Sequence, residues 1–185
     1  MKIPGASITA NWVAAGVIVL FLLGVAALAV GGGGSNSSTS TPTPTSSFDP
    51  ILSKMEPMLK AEYTSPNANI TIYESPKNAG QSVDELRFIM NYPANGTTIG
   101  AVISNEGAGQ AAAGVNSLSA SDISSGGVQG TPTSFGLQAA TVALGHVPST
   151  VNDVYVKGTG NNEGIDNEYI QYDSLFVQVM YTTTS

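Results

Sequence analysis

The sequence predicts a mainly β domain carried on a single N-terminal transmembrane helix and a flexible stalk. Three observations make that prediction: an uncharged apolar run from Trp12 to Val30, a Gly/Ser/Thr/Pro tract behind it, and alternation of apolar and polar residues through much of the remainder. Residues 48–185 read as a β-sandwich or jelly-roll-like domain with one or two short helices, because short strand patterns recur between turn-forming residues.

The run WVAAGVIVLFLLGVAALAV holds nineteen residues and no charge. As a helix it is about 28 Å long, close to the hydrocarbon thickness of a bilayer. It lacks a polar stripe, which favours lipid on every side over the core of a soluble domain. The competing reading is a cleaved secretory signal, since Ala27-Leu28-Ala29 fits the small-x-small pattern. Against cleavage stand the length of the run and the polar stretch Pro4 to Asn11, which separates Lys2 from it. Lys2 and the α-amino group precede the run and no Lys or Arg follows until Lys54, so residues 1–11 are expected inside and the domain outside, at a cell surface or on a virion membrane.

Residues 31–47, GGGGSNSSTSTPTPTSS, carry no charge and nothing to bury, and Ser or Thr fills ten of the seventeen positions. That composition is a spacer, with a coil-like Gly half and a stiffer Thr-Pro half. Beyond it the domain holds all thirteen acidic residues against five basic ones, a formal charge of −8. The cations are scattered, which argues against a nucleic-acid partner and against tight docking on anionic lipid. The chain has no cysteine, so disulfides and cysteine-ligated metals play no part.

Asp49 and Pro50 suit the N-cap and first position of a helix whose apolar residues Ile51, Leu52, Met55, Leu59 and Tyr63 repeat at helical spacing; Pro57 predicts a kink or two short turns. Leu86, Phe88, Met90 and Tyr92 alternate as a half-buried strand, and Asn95-Gly96 then marks a hairpin into a second strand, 97–104. A short strand around Ile70 to Glu74 and later strands at 151–157 and 168–182 complete the β content. In the last of these the apolar phase changes at Asp173-Ser174; a bulge is the preferred reading, a tight turn the alternative. Residues 105–133 are rich in Gly, Ala and Ser and read as a long loop, with a short Ala-rich helix near 110–115 as the alternative. Residues 134–147 fit either a helix or a buried strand.

Reactive groups are sparse. His146 is the single histidine, no G-x-S-x-G occurs, and the glycines at 158, 160 and 164 miss the dinucleotide-binding spacing. The strongest ion-binding candidate is the Gly-rich turn 158–169, which gathers Glu163, Asp166 and Glu168 in the oxygen-rich surroundings calcium prefers. It departs from the EF-hand order, because Thr159 falls where the first acidic ligand belongs. Three N-x-S/T sequons, at Asn36, Asn69 and Asn95, are candidate glycosylation sites.

These features lead to the expectation of a non-enzymatic structural or assembly protein, membrane-anchored, with the bilayer and other protein subunits as partners. A subunit of a surface layer or appendage, or a membrane-anchored virion component, is the kind of protein expected. The alternative is a surface module that binds carbohydrate or another ligand, calcium-dependently, through 105–133 and the acidic turn. The weakly charged late strands are the segments expected to pair with a neighbour.

Overall fold

Helix α1, Pro50–Glu62, starts where Asp49 closes its N-terminus: the Oδ1 atom accepts from the N–H groups of Ile51 at 2.7 Å and Leu52 at 3.1 Å. It runs unbroken through Pro57 and buries Leu52, Met55 and Leu59, so the apolar spacing in the sequence becomes its inner face. The computed structural model describes residues 47–77 and 82–183. The expected span at 12–30, the Asn36 sequon and the stalk up to residue 46 lie outside them. Among the described residues no helix is long and apolar enough to cross a membrane.

Among the described residues seven strands follow in one antiparallel sheet: β1 (Asn69–Ser75), β2 (Glu85–Tyr92), β3 (Thr97–Asn105), β4 (Val128–Gln129), β5 (Val151–Lys157), β6 (Ile165–Tyr172) and β7 (Leu175–Thr183). Their order is β1-β2-β3-β7-β6-β5-β4. The mainly β reading therefore holds, but the layers against this sheet are helical where a second sheet was expected. Helices α1 and α3 (Leu137–Leu144) share one core with Ile72, Leu86, Phe88, Ile103, Ile170 and Val177. Helix α2 (Ala108–Ser124) packs with Ala111 and Val115 against Tyr169 and Phe176 on alternate strand positions, which places it on the opposite face.

The hairpin at Asn95-Gly96 forms as read. Tyr92 pairs with Thr97, Gly96 takes φ +67°, and the Asn95 side chain accepts from the Thr97 N–H at 3.1 Å. The phase change at Asp173-Ser174 is a tight turn and not a bulge, since Tyr172 pairs directly with Leu175. Asp173 tolerates φ +50° there because its carboxylate accepts from the Thr150 N–H and the Ser149 hydroxyl, each at 2.8 Å. Its backbone N–H also donates to Thr150 at 2.9 Å.

The stretch read as a long loop is mostly helix. Glu106 and Gly107 both donate to the Ser174 carbonyl, which fixes the start of α2 against the β6–β7 turn. Small residues let α2 approach closely: a Cβ on Gly114 would stand 3.0 Å from the Phe176 ring. Helix also wins over strand in 134–147, where α3 runs between Gly136 and Gly145, both at positive φ. Of the late strands, β6 and β7 have partners on both sides and offer no edge to a neighbour, against the expectation. Strand β7 is paired on both sides, with β3 and with β6. The sheet ends instead at β1 and at β5 with its short cover β4.

Candidate functional site

The most concentrated polar chemistry lies at the β5–β6 corner, on the face covered by α1 and α3. Alternation places Asp153 and Tyr155 of β5 on the same face as Asp166, Glu168, Ile170 and Tyr172 of β6, with Glu168 directly opposite Tyr155. Residues 130–136 form a strap over this corner. It leaves the β5 edge with the Gly130 N–H bonded to the Tyr155 carbonyl at 2.9 Å, and it ends at the start of α3. A Cβ on Gly130 would meet the Tyr155 ring at 2.7 Å, so the strap lies flat on that ring only because glycine stands there.

Glu168 is the anchor. It is 0% exposed, and its carboxylate accepts from the Thr133 N–H and hydroxyl, from the Ser134 N–H at 3.0 Å and from the Tyr181 hydroxyl at 2.6 Å. Ser134 adopts φ +57°, a conformation costly for a residue with a side chain and held by these bonds. The Tyr172 hydroxyl donates to the Phe135 carbonyl at 3.0 Å, and the Gly136 N–H donates to Tyr63 at 3.2 Å, so the far end of the strap is tied down as well. Phe135 closes an aromatic trio with Tyr63 and Phe88, at ring separations of 4.8 and 5.4 Å.

Asp153 lies on the same face of the sheet as Glu168, with both carboxylate oxygens buried. Burial, then the negative charge of Glu168, pushes its carboxyl up to about 7, with Ser134 pulling the other way. The Tyr181 and Tyr155 phenols are also raised, first by burial and then by hydrogen bonds to Glu168 and Asp166. Asp166 accepts from the Tyr155 hydroxyl at 2.5 Å and from the Gly158 N–H at 2.9 Å. The arrangement brings the carboxyl groups of Asp153, Asp166 and Glu168 and the phenols of Tyr155 and Tyr181 to one corner of the sheet.

The three calcium candidates take different places. Glu163 sits exposed beside the 3-10 turn Gly160–Asn162, Asp166 braces that turn, and Glu168 faces the strap. Among the described residues no three His, Cys, Asp or Glu side chains gather as a metal-binding group. His146 is exposed and stands 3.7 Å from Asp173, which also accepts from the Ser149 hydroxyl. The serine therefore donates to the carboxylate and not to the imidazole, the reverse of the order a nucleophile and its base require. The sequon residues Asn69, at the start of β1, and Asn95, on the β2–β3 turn, are both exposed.

Asp153 and the strap were absent from the sequence reading. The signal for Glu168 was its even position, in phase with the apolar Ile170 and Tyr172, which marks an inward residue. Thr133 and Ser134 carry no local signal, because their partner lies 35 and 34 residues away. No protein-family model, curated protein or solved structure matches this chain.

Proposed function

We propose that this chain is a membrane-anchored structural or assembly protein that displays its β domain on the outer side of a membrane, as a surface-layer or appendage subunit or a membrane-anchored virion component. The observation that carries this reading is the outer edge of β1. Among the described residues β1 pairs only with β2, which leaves a seven-residue strand with one row of backbone donors and acceptors unoccupied. Its sequence, NITIYES, contains no proline and no lysine, the residues that usually blunt such an edge. Its one charge, Glu74, accepts from the Ser53 hydroxyl at 2.9 Å, and Tyr73 lies 41% exposed beside it.

The occupant that fits is a second copy of this chain. Two antiparallel β1 strands meet around a two-fold axis with the same patch on both sides, and no run of like charges opposes the contact. The apolar run 12–30 supplies the anchor and the neutral stalk the reach, which concentrates domains in two dimensions and lets a modest edge contact suffice. Imaging and intact-mass analysis of the native membrane or particle fraction test the reading. The expected result is full-length chain in an ordered assembly; a dispersed monomer with no higher-order species refutes it.

A further inference from the structure

We propose that Asn69 and Asn95 carry asparagine-linked glycans, and that these sugars shield the corner of the sheet that α2 leaves open. The inference rests on the outward placement of the domain proposed above and not on pairing at β1. Of the three sequons these two lie among the described residues, and both have threonine at the third position. The strand register brings them together. Asn69 opens β1 opposite Asn91, and Asn91 pairs with Thr98 across the hairpin whose turn holds Asn95. The start of the domain lies at the other end of the strands, because Asp49 accepts from the Asn105 side chain at 3.0 Å and Asn105 closes β3. Two acceptor sites therefore share one corner, away from the point where the chain enters the domain.

The same register fixes which face a sugar on Asn69 occupies. Tyr73, Arg87, Val102, Gln178 and Tyr169 form one row across five strands, so Asn69, Thr71 and Tyr73 project from the face that bears Tyr169. Helix α2 covers that face over Tyr169, Phe176 and Val154, which is its β5–β7 half. The β1–β3 half is open. Asn69, Thr71, Tyr73 and Asn91 are exposed there, and a Cβ on Gly100, in register with Ile89 and Thr71, would meet nothing within 4 Å. A bulky hydrophilic group on Asn69 has room on this surface and stands between Tyr73 and any second sheet laid against it.

At Asn95 the turn is held through Oδ1, which accepts from the Thr97 N–H at 3.1 Å, and glycosylation uses the other atom, Nδ2. The modified residue keeps its turn. In the transfer Nδ2 bonds to C1 of a sugar carried on a lipid diphosphate; the C1–O bond to the diphosphate breaks, the lipid diphosphate leaves and Nδ2 gives up one proton. A sugar on Asn69 also spares the outer row of β1, because strand side chains stand out of the sheet whereas the N–H and C=O groups lie in its plane. Stacking of one domain on the open face of another is blocked, and the edge is not.

The test is glycopeptide mass spectrometry of the full chain purified from its native membrane fraction, with protease shaving of the sealed membranes as a separate reading of the side the domain occupies. Sugar is expected on both Asn69 and Asn95. Absence of sugar from either asparagine, in a chain that shaving shows to be outside, overturns the proposal alone, and so does sugar confined to Asn36. A domain protected from the protease overturns the outward placement and the proposal with it. Shielding is read with Tyr73→Cys, the one thiol in a chain that has no cysteine of its own. Made in the native host, this variant is expected to react with a bulky thiol reagent several-fold more slowly than the same variant carrying Asn69→Gln; equal rates overturn the shielding.

Discussion

The two ends of the sheet manage the same hazard in opposite ways. At β1 the strand is long, its outer backbone row is free among the described residues, and Ile70 and Ile72 pack into the apolar core while Glu74 accepts from Ser53 of α1. At the other end β5 is covered by the two-residue β4, then by Gly130, and an inward-pointing Asp153 lies under the strap. Inward charge and a covering segment are recognised defences against edge-to-edge association. Among the described residues β4 and Gly130 occupy the outer side of β5 from Tyr155 to Lys157 and nothing pairs along the outer side of β1, so the proposed association is assigned to β1.

The supports of the two ends differ in kind, and substitutions separate them. Phe88→Ala empties a fully buried ring site between Tyr63 and Phe135 near the β1 end and is expected to destabilise the domain by about 3–5 kcal/mol, read as a urea midpoint shift of similar size at pH 5.5 and 8.5. Glu168→Ala removes the acceptor for Thr133, Ser134 and Tyr181 at the β5 end. Because water reaches the exposed strap, the expected cost is smaller, about 1–3 kcal/mol, with strap amides losing more protection than the β1–β2 ladder. A cost equal to that of Phe88→Ala and spread evenly over the domain would remove the distinction.

The smallest effect is a dependence of stability on pH. Asp153 is half-buried, so solvent screening reduces what its shift contributes, and stability is expected to fall by no more than about 2 kcal/mol from pH 5 to 8. Asp153→Asn flattens this slope and makes the domain more stable than the unmodified chain at pH 8. Denaturant titrations across that range check both the sign and the size. A slope of opposite sign would place the titrating group elsewhere.

What the sequence revealed depended on how local the determining interactions are. The N-cap at Asp49, the Asn95-Gly96 hairpin and strand β5 are encoded within a few residues of themselves, and each formed as read. Helix α2 was largely missed because its inner face is made of Ala111, Val115 and Ser119, too small to produce an apolar stripe, and its N-terminus follows a glycine without a side-chain cap. The turn at Asp173 was read as a bulge because its stabilising partners, Ser149 and Thr150, come from another connection. The carboxylate corner failed for the same reason. Asp153, Thr133 and Glu168 are brought together by strand order, which no local pattern announces.

The difference between the two edges can be measured directly, because the chain has no cysteine of its own. Thr71→Cys places a thiol at an exposed position of β1, and Gln129→Cys places one at an exposed position of the shielded edge. Full-length chains carrying one or the other, reconstituted in vesicles at matched density and treated with a short bifunctional thiol reagent, are read by gel for the cross-linked dimer. The account predicts a dimer from Thr71→Cys at pH 5.5 and little from Gln129→Cys. Equal yields from the two edges, or a dimer from Gln129→Cys alone, would contradict it.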